Sequence, residues 1–228
     1  MNDIYTQTVH DIKNANKSMM DLSEAIEINE EIQKILGSNQ DLFSLVEGYG
    51  LIKYRLDYHD WVISANNPFN SRCCSINVHK IITKLSYQLK YRAKKKNIEI
   101  RREGASHNNL NQRVALFVGF FLLIENAIKY SPSDREIIIK MQDIDINSAE
   151  VIIENQCGII EKDEIPKLKQ MHFRSKSAIS SASGRGLGLK LADNIFSDAK
   201  SRLDISYTLT ESGDYGIFSV SVVLNDLK

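Results

Sequence analysis

The chain has 228 residues, of which 43% are hydrophobic and 25% charged, with 29 Lys and Arg balanced by 29 Asp and Glu. That length suits a small domain followed by a medium one with a sizeable core, and zero net charge argues against a sequence-independent nucleic-acid binder, which needs a basic surplus to release counterions. No apolar run reaches transmembrane length, the first eleven residues are too polar for a signal peptide, and three cysteines without metal spacing fit a soluble protein in a reducing, cytoplasmic setting.

Residues 1–62 read as a helical hairpin. Apolar residues fall at Val9, Ile12, Met19, Leu22 and Ile26, and a second stripe runs through Ile28, Ile32, Ile35, Leu42, Val46, Tyr49 and Leu56. Asn29 before Glu30 and Glu31 looks like an N-cap with an acidic first turn, placing the hairpin turn near residues 25–29, with Gly37-Ser38-Asn39 as the rival position. Two such helices cannot bury both stripes alone, so a homodimer forming a four-helix bundle is expected.

Residues 57–72, with Asn66-Asn67-Pro68 inside, read as a linker, and residues 73–228 as a second domain. Asn77 caps an expected helix over 78–96, whose basic end Arg92–Lys96 is read as a solvated run complementing the helix dipole. A strand over 98–102 follows, then one apolar helix over 110–130 and strands over 136–142 and 150–155. A short helix near 163–170, a Ser-rich stretch at 175–183, a helix over 186–198 and strands over 202–210 and 216–224 complete the chain. The mixture implies an α+β fold, a two-layer α/β sandwich. Cys73 and Cys74 are expected to be buried neighbours.

Three segments carry chemistry. On a helix, Glu125 and Lys129 of L-L-I-E-N-A-I-K-Y (residues 122–130) share one face, and Asn126 and Tyr130 the next. An Asn amide oxygen is a hard, neutral ligand for Mg²⁺ already balanced by phosphates, and Lys129 can meet a phosphate as a point charge. G-R-G-L-G-L at residues 184–189 offers bare backbone N–H groups at a helix start, where anions are stabilised. V-H-D-I-K-N at residues 9–14 puts His10 beside the apolar stripe, and a neutral imidazole can attack phosphorus, with Asp11 orienting the ring or taking its proton.

These segments resemble boxes of sensor histidine kinases, members of the GHKL ATPases together with DNA gyrase and the heat-shock chaperone ATPases: residues 9–14 the H box, 122–130 the N box and 184–189 the second glycine box. Ala15 stands where the H box commonly has Pro, which removes a helix bend. Residues 175–183 fall where the flexible ATP lid belongs, after M-H-F-R-S (171–175), which resembles the phenylalanine-containing box through Phe173 and Arg174. The first glycine box departs from the pattern. In the preferred register of I-E-N-Q-C-G-I-I (153–160), Asn155 takes the place of the adenine-binding Asp and Cys157 that of the first Gly, while a competing register uses Glu154 and keeps Gly158.

The resemblance implies ATP and Mg²⁺, with Asn126 as the metal ligand and Lys129, Tyr130, Asn155, Arg174, Gly184, Gly186, Leu187 and Gly188 around the nucleotide. It also implies His10, Asp11, Asn14 and Glu125 in catalysis, Asn14 positioning a water for the reverse reaction on the partner. The implied activity is autophosphorylation of His10 and transfer to an aspartate of a response-regulator receiver domain, with dephosphorylation of that partner as well. No sensor domain is in this sequence, so the signal is expected from another protein or from residues outside it. Two rival readings are a phosphotransfer adaptor with a degenerate ATP site and a GHKL ATPase of another class in which His10 is incidental.

Overall fold

The structure is a computed structural model that describes residues 73–227. The hairpin expected over 1–62, with His10, Asp11 and Asn14, lies outside the described residues.

The first strand, β1 (Cys73–Ile76), was not expected from the sequence. Its cysteines are not buried neighbours: Cys73 is exposed and Cys74 half-buried, because the strand pairs only with the short β3. The helix α1 (Val78–Lys94) begins where expected, with Asn77 Oδ1 accepting the Lys80 N–H at 3.0 Å. Val78, Ile81, Ile82, Leu85, Leu89 and Ala93 form its buried stripe. Strand β2 (Glu99–Ala105) follows.

The single helix expected over 110–130 is two elements. Residues Leu110–Arg113 form β3, pairing antiparallel with β1, and the helix α2 (Leu116–Tyr130) starts after it. Leu110 and Gln112 are buried while Asn111 points out, so the alternation is that of a strand. Helix α2 is buried nearly all round because it lies between two other helices and the sheet.

Strands β4 (Glu136–Asp145) and β5 (Ser148–Cys157) form a hairpin. The short helix expected near 163–170 is only a 3-10 turn, Ile165–Lys167, with Pro166 in its first turn. A six-residue helix, α3 (Lys176–Ser181), occupies the Ser-rich stretch. Helix α4 (Gly188–Asp198) begins two residues later than expected, since Gly186 has φ +66°, outside the helical region. Strands β6 (Arg202–Leu209) and β7 (Gly216–Asn225) close the domain.

The five-stranded sheet has the order β2-β4-β5-β7-β6, with β2 parallel to β4 and the remaining pairs antiparallel. Helix α1 packs on β2, α2 on β5 and α4 on β6. Ile137, Ile139, Met141, Val151, Ile153, Val220, Val222 and Leu224 are all buried, while the alternate positions carry the Lys140–Glu154 ion pair at 2.6 Å and the Gln142–Glu150 hydrogen bond at 2.8 Å. The result is an α+β sandwich with a mixed sheet. Among the described residues no helix is long and apolar enough to cross a membrane.

Candidate functional site

Two segments about sixty residues apart in sequence meet between α2 and the start of α4. A Cβ placed on Gly188 would lie 3.1 Å from both the Oδ1 and Nδ2 atoms of Asn126. One placed on Gly184 would collide with Lys129 Nζ and lie 3.7 Å from the Tyr130 hydroxyl. A side chain at either glycine would crowd these groups, displacing the amide of Asn126 slightly and the end of Lys129 outright. Between them Gly186, in the left-handed region, leaves 2.5 Å from its Cβ position to the Phe173 carbonyl oxygen, and its own carbonyl accepts the His172 N–H at 2.9 Å. Residues 172–173 thus lock the curve of the glycine segment.

Helix α4 opens without a side-chain cap, Leu187 occupying the cap position, so its first N–H groups have no capping acceptor. They lie at the positive end of a helix dipole, and the first of them belongs to Gly188, the residue packed against Asn126. Lys129 Nζ sits 5.0 Å from the centroid of the Tyr130 ring, a cation held over an aromatic face. The arrangement is an amide, an ammonium and uncapped backbone donors around one glycine-lined curve, which is the donor set that anionic oxygens require.

Residues 112–224 match the family described as histidine kinase-, DNA gyrase B- and HSP90-like ATPase. Over these residues, just under half of its length, the chain is similar to the ATPase domains of that family. Among solved structures, the mycobacterial sensor histidine kinase MprB superposes with a TM-score of 0.54 at 21% identity, over 67% of this chain and 97% of its own. The histidine kinase AdeS of Acinetobacter baumannii gives 0.53 at 14% identity, over 95% of this chain and 98% of its own. Full-length ShkA, solved in complex with AMPPNP, gives 0.59 at 11% identity over 98% of this chain, which spans 46% of that protein. At these identities the likeness is one of fold. Comparison with curated proteins gives no match.

The other expected residues of the ATPase domain are placed as follows. Asn155 is 5% exposed near the end of β5, on the side facing the helices, and its Nδ2 donates to the Gln156 carbonyl at 2.8 Å. Glu154, its competitor in register, lies on the opposite face and is paired with Lys140. Cys157 is buried, and desolvation pushes its thiol up to about 12. Gly158 lies against α3, since a Cβ there would be 2.8 Å from Ser177 Cβ. Glu125 is in an ion pair with Arg92 of α1. Arg174 spends its guanidinium on the carbonyls of Ala178 and Ala182, capping the end of α3.

Two roles were not read from the sequence. Glu164, 6% exposed, accepts the Lys176 N–H at 2.9 Å and the Glu161 N–H at 3.0 Å, fastening the start of α3. Lys96 is not the solvated end of its own helix: its ammonium donates to the carbonyls of Ile128 and Lys129, each at 3.0 Å, and of Ser131. Burial lowers its pKa from the ordinary lysine value. Lys96 lies just past the end of α1, and its acceptors lie more than thirty residues further along the chain.

Proposed function

We propose that the chain is the catalytic core of a two-component sensor histidine kinase, using ATP to phosphorylate His10 and passing the phosphoryl group to an aspartate of a response-regulator receiver domain. What supports it is the apposition of Gly184 and Gly188 to Lys129 and Asn126, a curve where any side chain would fill the space beside the amide and the ammonium. The residues fit a magnesium–nucleotide complex. Asn126 would supply a neutral oxygen to the metal, Lys129 a point charge to a phosphate, and the first N–H groups of α4 hydrogen bonds to phosphate oxygens. Asn155 would accept from the amino group of the base, from the side of the sheet that α2 covers. When bound, Mg²⁺ neutralises phosphate charge as it develops.

A nitrogen lone pair of the His10 imidazole forms the N–P bond as the bond from the γ-phosphorus to its bridging oxygen breaks, leaving ADP; the proton on the other ring nitrogen goes to Asp11 or solvent. The receiver aspartate then forms an O–P bond as the N–P bond breaks. Asn14 positions water in the reverse, dephosphorylating reaction, and Glu125, oriented by Arg92, completes the catalytic set. The active form is a cytoplasmic homodimer.

The test is transfer of label from γ-labelled ATP to the full chain in the presence of Mg²⁺. The expected product is acid-labile and alkali-stable, and is lost in His10→Gln. Undiminished labelling of that variant would refute the histidine assignment and favour a GHKL ATPase of another class. A second reading, an adaptor with a degenerate ATP site, draws on Cys157, whose buried side chain stands where the family has glycine. Calorimetric titration with ATP separates them, because the adaptor binds none.

A further inference from the structure

We propose that Lys96, which no motif includes, is a positioning residue of the nucleotide site: its ammonium grips the C-terminal turn of α2 and so holds Asn126, Lys129 and Tyr130 toward the glycine segment. The inference rests on the nucleotide reading above. An ammonium has three N–H donors, and Lys96 directs hydrogen bonds to three carbonyls, those of Ile128, Lys129 and Ser131. The last carbonyls of a helix have no partner within it and carry the negative end of its dipole. Here those of Ile128 and Lys129 are satisfied by a cation from the turn after α1, and that of Ala127 accepts from the Ser131 N–H and hydroxyl.

The grip is one of several between the same two turns. Arg92, one helical turn before Lys96, pairs with Glu125. The Asp134 N–H donates to the Lys96 carbonyl at 3.0 Å, and Asn97 Nδ2 donates to Asp134 Oδ1 at 2.6 Å. Asn97 and Asp134 both adopt left-handed backbone, with φ of 53° and 59°. The turn after α1 is therefore docked on the turn after α2 through side chains and main chain alike. Glu125, Lys129 and Tyr130 lie within two turns of the gripped carbonyls, and the spacing of Asn126 from Gly188 depends on where that end of α2 sits.

Removing the ammonium leaves three carbonyls to find water or other donors, and the last turn of α2 loosens where its side chains meet phosphate. The full chain should be titrated with AMPPNP at several Mg²⁺ concentrations, alongside Lys96→Met, Lys96→Gln and Val222→Ala. Val222 is a core residue of β7, and its variant controls for lost stability. Lys96→Met should weaken AMPPNP binding about tenfold and raise the Mg²⁺ concentration for half-maximal binding. Lys96→Gln, which keeps two N–H donors, should fall between it and the unmodified chain, and serves if the Met variant does not fold. Val222→Ala should lower the melting temperature without moving the Mg²⁺ requirement. Equal affinity of the Lys96 variants and the unmodified chain, or a Mg²⁺ shift as large in Val222→Ala, overturns this inference alone. Absence of AMPPNP binding by the unmodified chain overturns the nucleotide reading and this inference with it.

Discussion

Asn155 and Cys157 sit two apart on β5 and therefore share a face, the one that the helices cover. Glu154 between them is turned to the other face and already holds Lys140. Of the two registers open in the sequence, only the one through Asn155 puts an acceptor on the side where Asn126 and Lys129 lie. The same alternation buries the Cys157 thiol at 6% exposure, and desolvation raises it to about 12. Because the thiolate is the nucleophile, a raised thiol is an unreactive one. At pH 8.5 iodoacetamide should alkylate exposed Cys73 in the native chain and leave Cys157 untouched until denaturant is added, as read by mass spectrometry of the peptides. Rapid native labelling of Cys157 would contradict the buried placement. The linkage runs in the matching direction: with the folded thiol above its unfolded value of 9.0, folding retains a proton that the unfolded chain loses. Cys157 therefore subtracts stability as pH climbs from about 9 toward 12.

Helix α3 shows what an element needs when it is too short to stand by itself. Six residues make fewer than two turns, and nucleating so short a helix is unfavourable in isolation. Its ends are held from outside: Ser175 Oγ accepts the Ala178 N–H at 3.2 Å, the buried Glu164 carboxylate accepts the Lys176 N–H, and Arg174 takes the carbonyls at the far end. Glu164→Ala should raise hydrogen exchange at residues 176–181 about tenfold, since it frees the first turn by removing the acceptor of the Lys176 N–H. Exchange indistinguishable from the unmodified chain would mean that Glu164 is not the fastening. This dependence explains why residues 175–183 read as a flexible, Ser-rich stretch: Glu164 and Arg174, which hold its two ends, lie outside it. Strand β3 was missed for the same reason, because its partner β1 lies at residues 73–76 and its Leu110 and Gln112 merge with the apolar run of α2. Strands β4 and β5 were legible because the β-branched runs Ile137–Ile139 and Val151–Ile153 are each bounded by charged residues, Glu136 and Lys140 in one and Glu150 and Glu154 in the other. The meeting of Asn126 with Gly188 could be anticipated from two local motifs, whereas the Lys96 grip on α2 could not, since nothing near Lys96 in the chain names its acceptors.

The two faces of the sheet contribute unequally to the domain. The face that none of the described helices covers carries ion pairs such as Arg101–Glu103 and Lys140–Glu154 whose partners are a quarter to a half exposed, and pairs in that setting add little and are screened by salt. The covered face holds the large buried side chains, and its closest helix contact joins α2 to α4. Phe120 and Phe196 meet edge to face with ring centroids 5.0 Å apart, and Gly119 makes room for the Phe196 ring, since a Cβ there would lie 2.9 Å from Phe196 Cζ. That packing also sets how near the start of α4 comes to Asn126, so core and candidate site share one interface. Truncating Phe196 removes a fully buried ring and leaves a cavity, a loss of about 3–5 kcal/mol for such a change. For a domain of this size the melting temperature should fall on the order of 10 °C in Phe196→Ala. Raising the salt from 50 mM to 1 M should shift the same transition by only a small fraction of that, because it weakens only the exposed pairs. A salt-induced drop as large as the one from Phe196→Ala, followed by calorimetry on the full chain, would place the stability of the domain in its surface charges instead of in the α2–α4 contact.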